Sequence, residues 1–338
     1  MVQTLPVLHS LKKTWPDCQV DWIVGEAAAG LLKGHPLLNR TVIYPRKRLG
    51  RLASNPLLWH RLALGICNLG KELRGAGYDA SLDLQGLFKS GFITYLSGAG
   101  EKIGFAGSRE ASSVFLNMKI PPYDPDRHAV LRYLDMAAAI GADTREISFP
   151  LGLSAADYQN AGTMLKRLGL RQGSFIILIP GTVWPTKHWD ADGFAKLSRL
   201  IGARLGLPSL VVGAKSDRAL GDAISNKSGG NAINIAGATT LKLLAALFTM
   251  AATAVTVDTG PMHLAAAAGL KVVALFGPTA PWRTGPFGNG HIVIRKELDC
   301  NPCFNRQCES RKCMLEITPE KVVAAVEDIC SIRPEAQA

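Results

Sequence analysis

The sequence has no apolar run long enough to cross a bilayer. Its longest weakly polar stretch, Leu243 to Val257, carries Thr249, Thr253 and Thr256. It falls short of the roughly 20 residues a membrane helix needs. The N-terminus shows no basic segment ahead of an apolar core, so no signal peptide is expected and a cytosolic protein follows. Aromatic residues are scarce, at 7%, and do not interleave with Lys and Arg as in a base-stacking surface. With no nucleic-acid module either, no nucleic-acid partner is expected. No Gly-x-Gly-x-x-Gly follows a strand, which removes the nicotinamide dehydrogenase reading. Internal repeats and low-complexity tracts are also lacking. Acids are the minority charge: 27 Asp and Glu face 38 Lys and Arg, for a net +11.

What is present describes a globular chain. Its 338 residues, 47% hydrophobic and 19% charged, can fill two domains, each with its own core. Residues 1–150 hold 18 Lys and Arg against 13 Asp and Glu, so the excess is spread over both halves. Arg46, Lys47, Arg48 and Arg51 form a basic cluster, followed by Trp59, His60 and Arg61. Such a surface favours phosphate-rich partners, and a solvated basic loop accounts for it equally well.

Seven cysteines occur, four of them as Cys300-x2-Cys303-x4-Cys308-x4-Cys313. In a cytosolic chain this cluster reads as a metal site before it reads as disulfides. Its spacing is not that of a common zinc module, so metal binding stays open.

Elements alternate along the chain. Val2, Leu5, Leu8 and Leu11, three apart, start a helix almost at Met1, with Pro6 tolerable in its first turn. Strands follow at 19–24, 41–44 and 79–84, with a long helical region over 56–77. A connector over 138–154 leads into regular strand–helix alternation, with strands at 175–179, 209–212, 232–235, 254–257 and 271–276. Such alternation means parallel sheets built from right-handed crossovers. The expected architecture is α/β: an N-terminal domain over 1–150 and a C-terminal domain over 151–338, facing each other across a cleft.

Three stretches carry chemistry. Val255-Thr-Val-Asp258-Thr259-Gly260-Pro-Met-His263 is a strand end, a turn and the start of an Ala-rich helix. In an open parallel sheet ligands bind there, and a helix start offers unpaired N–H groups to a phosphate. Asp258 can accept from sugar hydroxyls, Thr259 and the Gly260 amide can donate, and His263 sits one turn into the helix. In Ile179-Pro-Gly-Thr182-Val-Trp-Pro-Thr-Lys187-His-Trp189, Thr182 offers a hydroxyl and Lys187 a cation suited to a diphosphate leaving group. Asp217 closes a third strand end and reads most simply as a helix N-cap.

The Asp-Thr-Gly-x-x-His block resembles the ADP-heptose:lipopolysaccharide heptosyltransferases of glycosyltransferase family 9. Lys187-His-Trp matches their motif, and Asp83-Leu-Gln-Gly-Leu-Phe-Lys89-Ser90 is similar to the stretch of the first inner-core heptosyltransferase. The resemblance covers nearly the whole chain. It implies a GT-B fold of two doubly wound parallel-sheet domains. ADP-heptose would sit on the C-terminal domain, at Thr182, Lys187, Asp217, Asp258, Thr259, Gly260 and His263. A lipid A-Kdo acceptor would sit on the N-terminal domain, at Arg46, Arg48, Arg51, Lys89, Arg109 and His128. It further implies inverting heptose transfer to Kdo or the first heptose, peripheral contact with the cytoplasmic face of the inner membrane, and no cofactor. Related enzymes show a similar cysteine stretch that is not their catalytic centre. The family's general base is the Asp of a Gly-Asp pair ending a first strand. That pair would lie ahead of Met1, so the strand and base are expected upstream; a chain without them would be a non-catalytic nucleotide-sugar-binding protein.

Overall fold

A computed structural model describes residues 1–107 and 109–331, without the side chain of Arg109. The chain divides into two compact units, Gln3–Pro150 and Leu151 onward.

The first unit runs α1 (Leu5–Thr14), β1 (Asp21–Gly25), α2 (Glu26–Leu32), β2 (Arg40–Tyr44), α3 (Arg46–Ala53), α4 (Trp59–Arg74), β3 (Ala80–Leu82), α5 (Phe88–Leu96), β4 (Glu101–Phe105), β5 (Met118–Ile120) and α6 (Ala129–Ala139). Leu5, Val7 and Leu8 of α1 are buried. Val7 packs against Ala137 of α6. The basic cluster expected in a loop is helical: α3 carries Arg46, Lys47, Arg48 and Arg51. Its buried Leu49 explains this, because Leu49 lies over Gly65 of α4, where a Cβ would sit 3.4 Å from its Cδ2.

The five strands form two parallel ladders, β1–β2 and β3–β4–β5, rather than one doubly wound sheet. Among the described residues β1 pairs only with β2, and β3 only with β4, so each of these two strands has one unpaired edge. A polar clasp fixes the start of the first ladder. The Asp21 carboxylate accepts from Tyr78 Oη at 2.7 Å, Arg40 Nε at 3.0 Å and Asn39 Nδ2 at 3.0 Å. Burial pushes the Asp21 carboxyl up, but these hydrogen bonds outweigh it and hold the group below the usual carboxylate range.

The second unit runs α7 (Ala155–Arg167), β6 (Ile176–Ile179), α8 (Ala191–Leu205), β7 (Ser209–Val211), α9 (Arg218–Lys227), β8 (Ala232–Asn234), α10 (Leu241–Met250), β9 (Thr253–Val257), α11 (Gly260–Ala267), β10 (Val272–Phe276), α12 (Pro281–Thr284), β11 (Ile292–Arg295), α13 (Lys312–Leu315) and α14 (Pro319–Ser331). Ser154 and Asp157 cap α7 reciprocally, each side chain accepting from the other's amide. All six strands are parallel, in the order β11-β10-β9-β6-β7-β8. Every residue of β6, β9 and β10 is buried, as expected where helices cover both faces of a parallel sheet.

The first strand of this unit, β6, lies centrally. The chain proceeds from it to β7 and β8 on one side, then returns to β9, β10 and β11 on the other. The order therefore reverses between β6 and β9. Their carboxyl ends form the topological switch point, where open α/β sheets bind ligands.

Candidate functional site

The loops after β6, β9 and β10 converge at this switch point. The Thr182 hydroxyl donates to the Asp258 carbonyl at 3.2 Å, joining the loop after β6 to the end of β9. Asp258, 6% exposed, directs Oδ2 to two partners. Lys187 Nζ lies 2.7 Å from it, and Thr279 Oγ1 donates to it at 2.6 Å. Lys187 is itself only 14% exposed and sits 4.3 Å from the Trp184 ring centroid. Arg306 approaches the same ring at 4.5 Å, so the indole holds two cations at the site.

Asp258, expected to accept from sugar hydroxyls, also has a second part here: its Oδ2 is engaged by Lys187 and Thr279, so this oxygen anchors the cation. Lys187 is thereby held in one place, beside the start of α11, which opens at Gly260 with Pro261 next. Thr259 is extended at the N-cap, and its hydroxyl makes no capping bond to the helix. A helix start with no side-chain cap and a fixed cation next to it suits a phosphate or diphosphate. His263 lies half-buried in the first turn of α11.

Asp217 behaves differently from the N-cap expectation. It precedes α9 but makes no side-chain cap bond to that helix. Its Oδ2 instead accepts from the Ala214 amide at 2.8 Å. The carboxylate lies over Gly213, where a Cβ would fall 2.7 Å from Oδ2; glycine is required here by close approach. Gly181, after β6, faces the same carboxylate, so Asp217 belongs to the switch-point cluster. The Lys187-His-Trp triplet divides: Trp189 turns into the core, donating from Nε1 to the Ile317 carbonyl at 3.1 Å and stacking edge-on against Phe194.

Thr279, Trp184 and Arg306 were not singled out from the sequence. Thr279 stands in the Gly-Pro-Thr that ends β10, and that strand end was the available signal. Arg306 is brought in by the cysteine-rich loop, through two hydrogen bonds next to it. The Phe304 amide donates to the Pro278 carbonyl at 2.8 Å, and Thr186 Oγ1 donates to the Asn305 carbonyl at 2.8 Å. Cys300, Cys303, Cys308 and Cys313 share one cavity of about 300 Å³ with Thr186 and Pro278. Among the described residues no cysteine forms a disulfide, and no group of three or more His, Cys, Asp or Glu is arranged to hold a metal.

In the first unit, Asp83 ends β3 and folds an Asx turn, with Oδ1 accepting from the Gln85 and Gly86 amides at 3.0 Å each. Gly86 takes φ +66°, which favours glycine. Lys89 follows in the first turn of α5, where the Glu110 carboxylate accepts from the Phe88 amide at 3.2 Å. His128 caps α6, its Nδ1 accepting from the Val130 amide at 3.2 Å. The Arg109 side chain lies outside the described residues. Arg46, Arg48 and Arg51 all ride on α3.

A family model of glycosyltransferase family 9 (heptosyltransferase) matches residues 66–314. The chain belongs to this family. It is 27% identical to lipopolysaccharide heptosyltransferase 1 of Pseudomonas aeruginosa over 354 aligned positions, covering 97% of this chain and 94% of that protein. The glycosyltransferase family 9 structure from Veillonella parvula superposes with a TM-score of 0.83 at 21% identity, covering 98% of this chain and 94% of that one. Escherichia coli heptosyltransferase WaaC with ADP superposes at 0.78 and 23% identity, covering 97% and 95%. The family member described here thus has the GT-B fold, two α/β units with parallel sheets.

Proposed function

We propose that this family member is an inverting heptosyltransferase that moves heptose from ADP-heptose to the lipopolysaccharide inner core. Membership of family 9 supports the reaction class, and the names of its relatives support heptose and lipopolysaccharide. A single observation carries the donor assignment: the Lys187 ammonium is pinned by Asp258, whose carboxylate Thr279 holds in turn, beside the N-terminus of α11. In the reaction an acceptor hydroxyl bonds the anomeric carbon and releases its proton as the bond to ADP breaks, placing new charge on the diphosphate. Lys187, the Thr259 hydroxyl and the α11 amides stabilise that charge without reorganising, because Asp258 already holds the cation. Asp217, His263 and Thr182 complete the donor residues. The stretch from Asp83 to Ser90 supports Kdo as acceptor. Lys89, the α3 arginines and His128 meet the acidic sugar on this reading, and Arg109 joins them by sequence alone.

The test is a transfer assay with ADP-heptose, run on Kdo-bearing and heptosylated lipid A, together with calorimetry of ADP. Lys187→Ala should lower turnover about 10²–10³-fold, the usual loss for one transition-state donor. It should also weaken ADP binding. Unchanged ADP affinity in both Lys187→Ala and Asp258→Ala removes the donor site. ADP binding with no transfer to either acceptor removes the transferase reading and leaves a nucleotide-binding protein.

A further inference from the structure

The most one-sided stretch of the chain lies outside the donor site. Between Glu26 and Glu72 there are eight Lys and Arg residues and no Asp or Glu. Five of the eight are Arg46, Lys47, Arg48 and Arg51 on α3 and Arg61 on α4. Lys47, Arg48, Arg51 and Arg61 are exposed. Set among them are large apolar side chains open to water: Leu57 is 83% exposed, Trp59 58% and Leu64 60%.

These residues belong to one framework. Leu49 packs α3 onto Gly65 of α4. The Trp59 indole donates to the Ala53 carbonyl at 3.3 Å, tying the start of α4 to the end of α3. Asn55 accepts from the Leu57 amide at 3.1 Å and shapes the turn that raises Leu57. At 3.6 residues per turn, Trp59, His60, Arg61, Ala63, Leu64 and Cys67 fall on one side of α4, and all six are exposed. The opposite side holds Leu62, Ile66, Leu69 and Leu73, which turn inward. The outer side is therefore apolar and basic, with no acid in the first three turns of the helix.

A protein partner would be expected to meet such a patch with a mixture of charges. A bilayer bearing anionic headgroups needs only cations around an apolar insertion, and that is the composition found. We infer that the surface of α3, the Pro56–Leu58 turn and the first half of α4 docks on an anionic membrane. Leu57, Trp59 and Leu64 enter the headgroup boundary, and Lys47 and Arg61, which the acceptor reading does not use, bind lipid phosphates. This rests on the reading that the acceptor is lipid-linked, and it names the surface that brings the enzyme to it. It requires no transmembrane segment, and among the described residues no helix is long and apolar enough to be one.

The experiment is flotation of the full chain with vesicles, without ADP-heptose or acceptor. One set contains phosphatidylethanolamine and phosphatidylglycerol, the other phosphatidylcholine alone. Binding should favour the anionic vesicles at least tenfold and decline with salt. The double variant Leu57→Glu/Leu64→Glu should lose at least tenfold in vesicle binding. Tryptophan emission should shift to the blue on anionic vesicles in the parent chain and shift less in Trp59→Phe. ADP calorimetry on the same variants, unchanged from the parent, shows that they remain folded. Equal binding to both vesicle sets, no binding to either, or no effect of the double variant overturns the inference. So does capture only by vesicles doped with the acceptor lipid, since the surface would then be an acceptor subsite. A failed donor assignment leaves these outcomes untouched, because no nucleotide enters the flotation.

Discussion

Lys187 and Asp258 are a mostly buried ion pair, and such a pair is costly to break from one side. Removing Asp258 strands an ammonium that is 14% exposed; removing Lys187 strands a carboxylate 7% exposed with Thr279 as its remaining partner. Either single variant, Asp258→Leu or Lys187→Met, should cost about 3 kcal/mol, whereas the double variant should cost less than the sum. Denaturant titration of the four proteins reads this coupling. Additive losses would mean the pair carries no linkage. ADP affinity should not recover in the double variant, because the cation is gone. Stability and binding would thus separate at one contact.

Hydrophobic runs stop at Asp258 and ahead of the loop that carries Lys187, and this was enough to locate Asp258, Thr259 and Lys187. The sequence could not show that Asp258 faces Lys187, since the two are brought together only by β6 and β9 being neighbours. Arg306 was less legible still. It depends on a loop that has no regular element between β11 and α13.

At the scale of elements, the clasp around Asp21 joins the starts of β1 and β2 to the segment before β3. Tyr78→Phe removes one hydrogen bond to a carboxylate and should cost about 1.5–3 kcal/mol at neutral pH. The sign of its pH dependence is fixed by the lowered Asp21 pKa. The contribution is fully present above the ordinary aspartate value of 3.8 and fades as pH falls through the lower folded value. The stability gap between Tyr78→Phe and the parent should therefore close at acid pH, as urea midpoints would show. A gap that stays constant would disconnect Tyr78 from Asp21. The helical character of α3 was missed for an identifiable reason. Arg46 to Ala53 has few apolar residues, so its periodicity is weak, and it is Leu49 on Gly65 that decides the matter. β11 was missed because Ile292–Arg295 is short and its burial depends on pairing with β10. The regular alternation of the second unit was legible because its strands are long apolar runs bounded by turns.

For the whole molecule, the acid-free basic run over α3 and the start of α4 would govern, on the proposed reading, how the two substrates respond to salt. Exposed charges are screened within roughly 8 Å at physiological ionic strength. On the proposed reading donor binding relies on an enclosed cation, Lys187. Rising salt should therefore weaken acceptor binding more than donor binding. With the acceptor dispersed in detergent, so that no bilayer takes part, Arg46→Glu/Arg48→Glu should raise its KM several-fold and leave the KM for ADP-heptose nearly constant. Equal shifts in both would return the α3 arginines to a purely solvated role.

The two ladders of the first unit bear on how its backbone exchanges with solvent. In the second unit β6 and β9 are flanked on both sides, so their amides open only when the sheet itself unfolds. Along the unpaired edges of β1 and β3 the same protons have no strand neighbour among the described residues. Deuterium should enter those edges at rates set by local fluctuation, orders of magnitude ahead of the switch-point strands. The half of the enzyme assigned to the lipid-linked substrate would then be the half that yields first to proteolysis, to heat and to intermolecular strand addition.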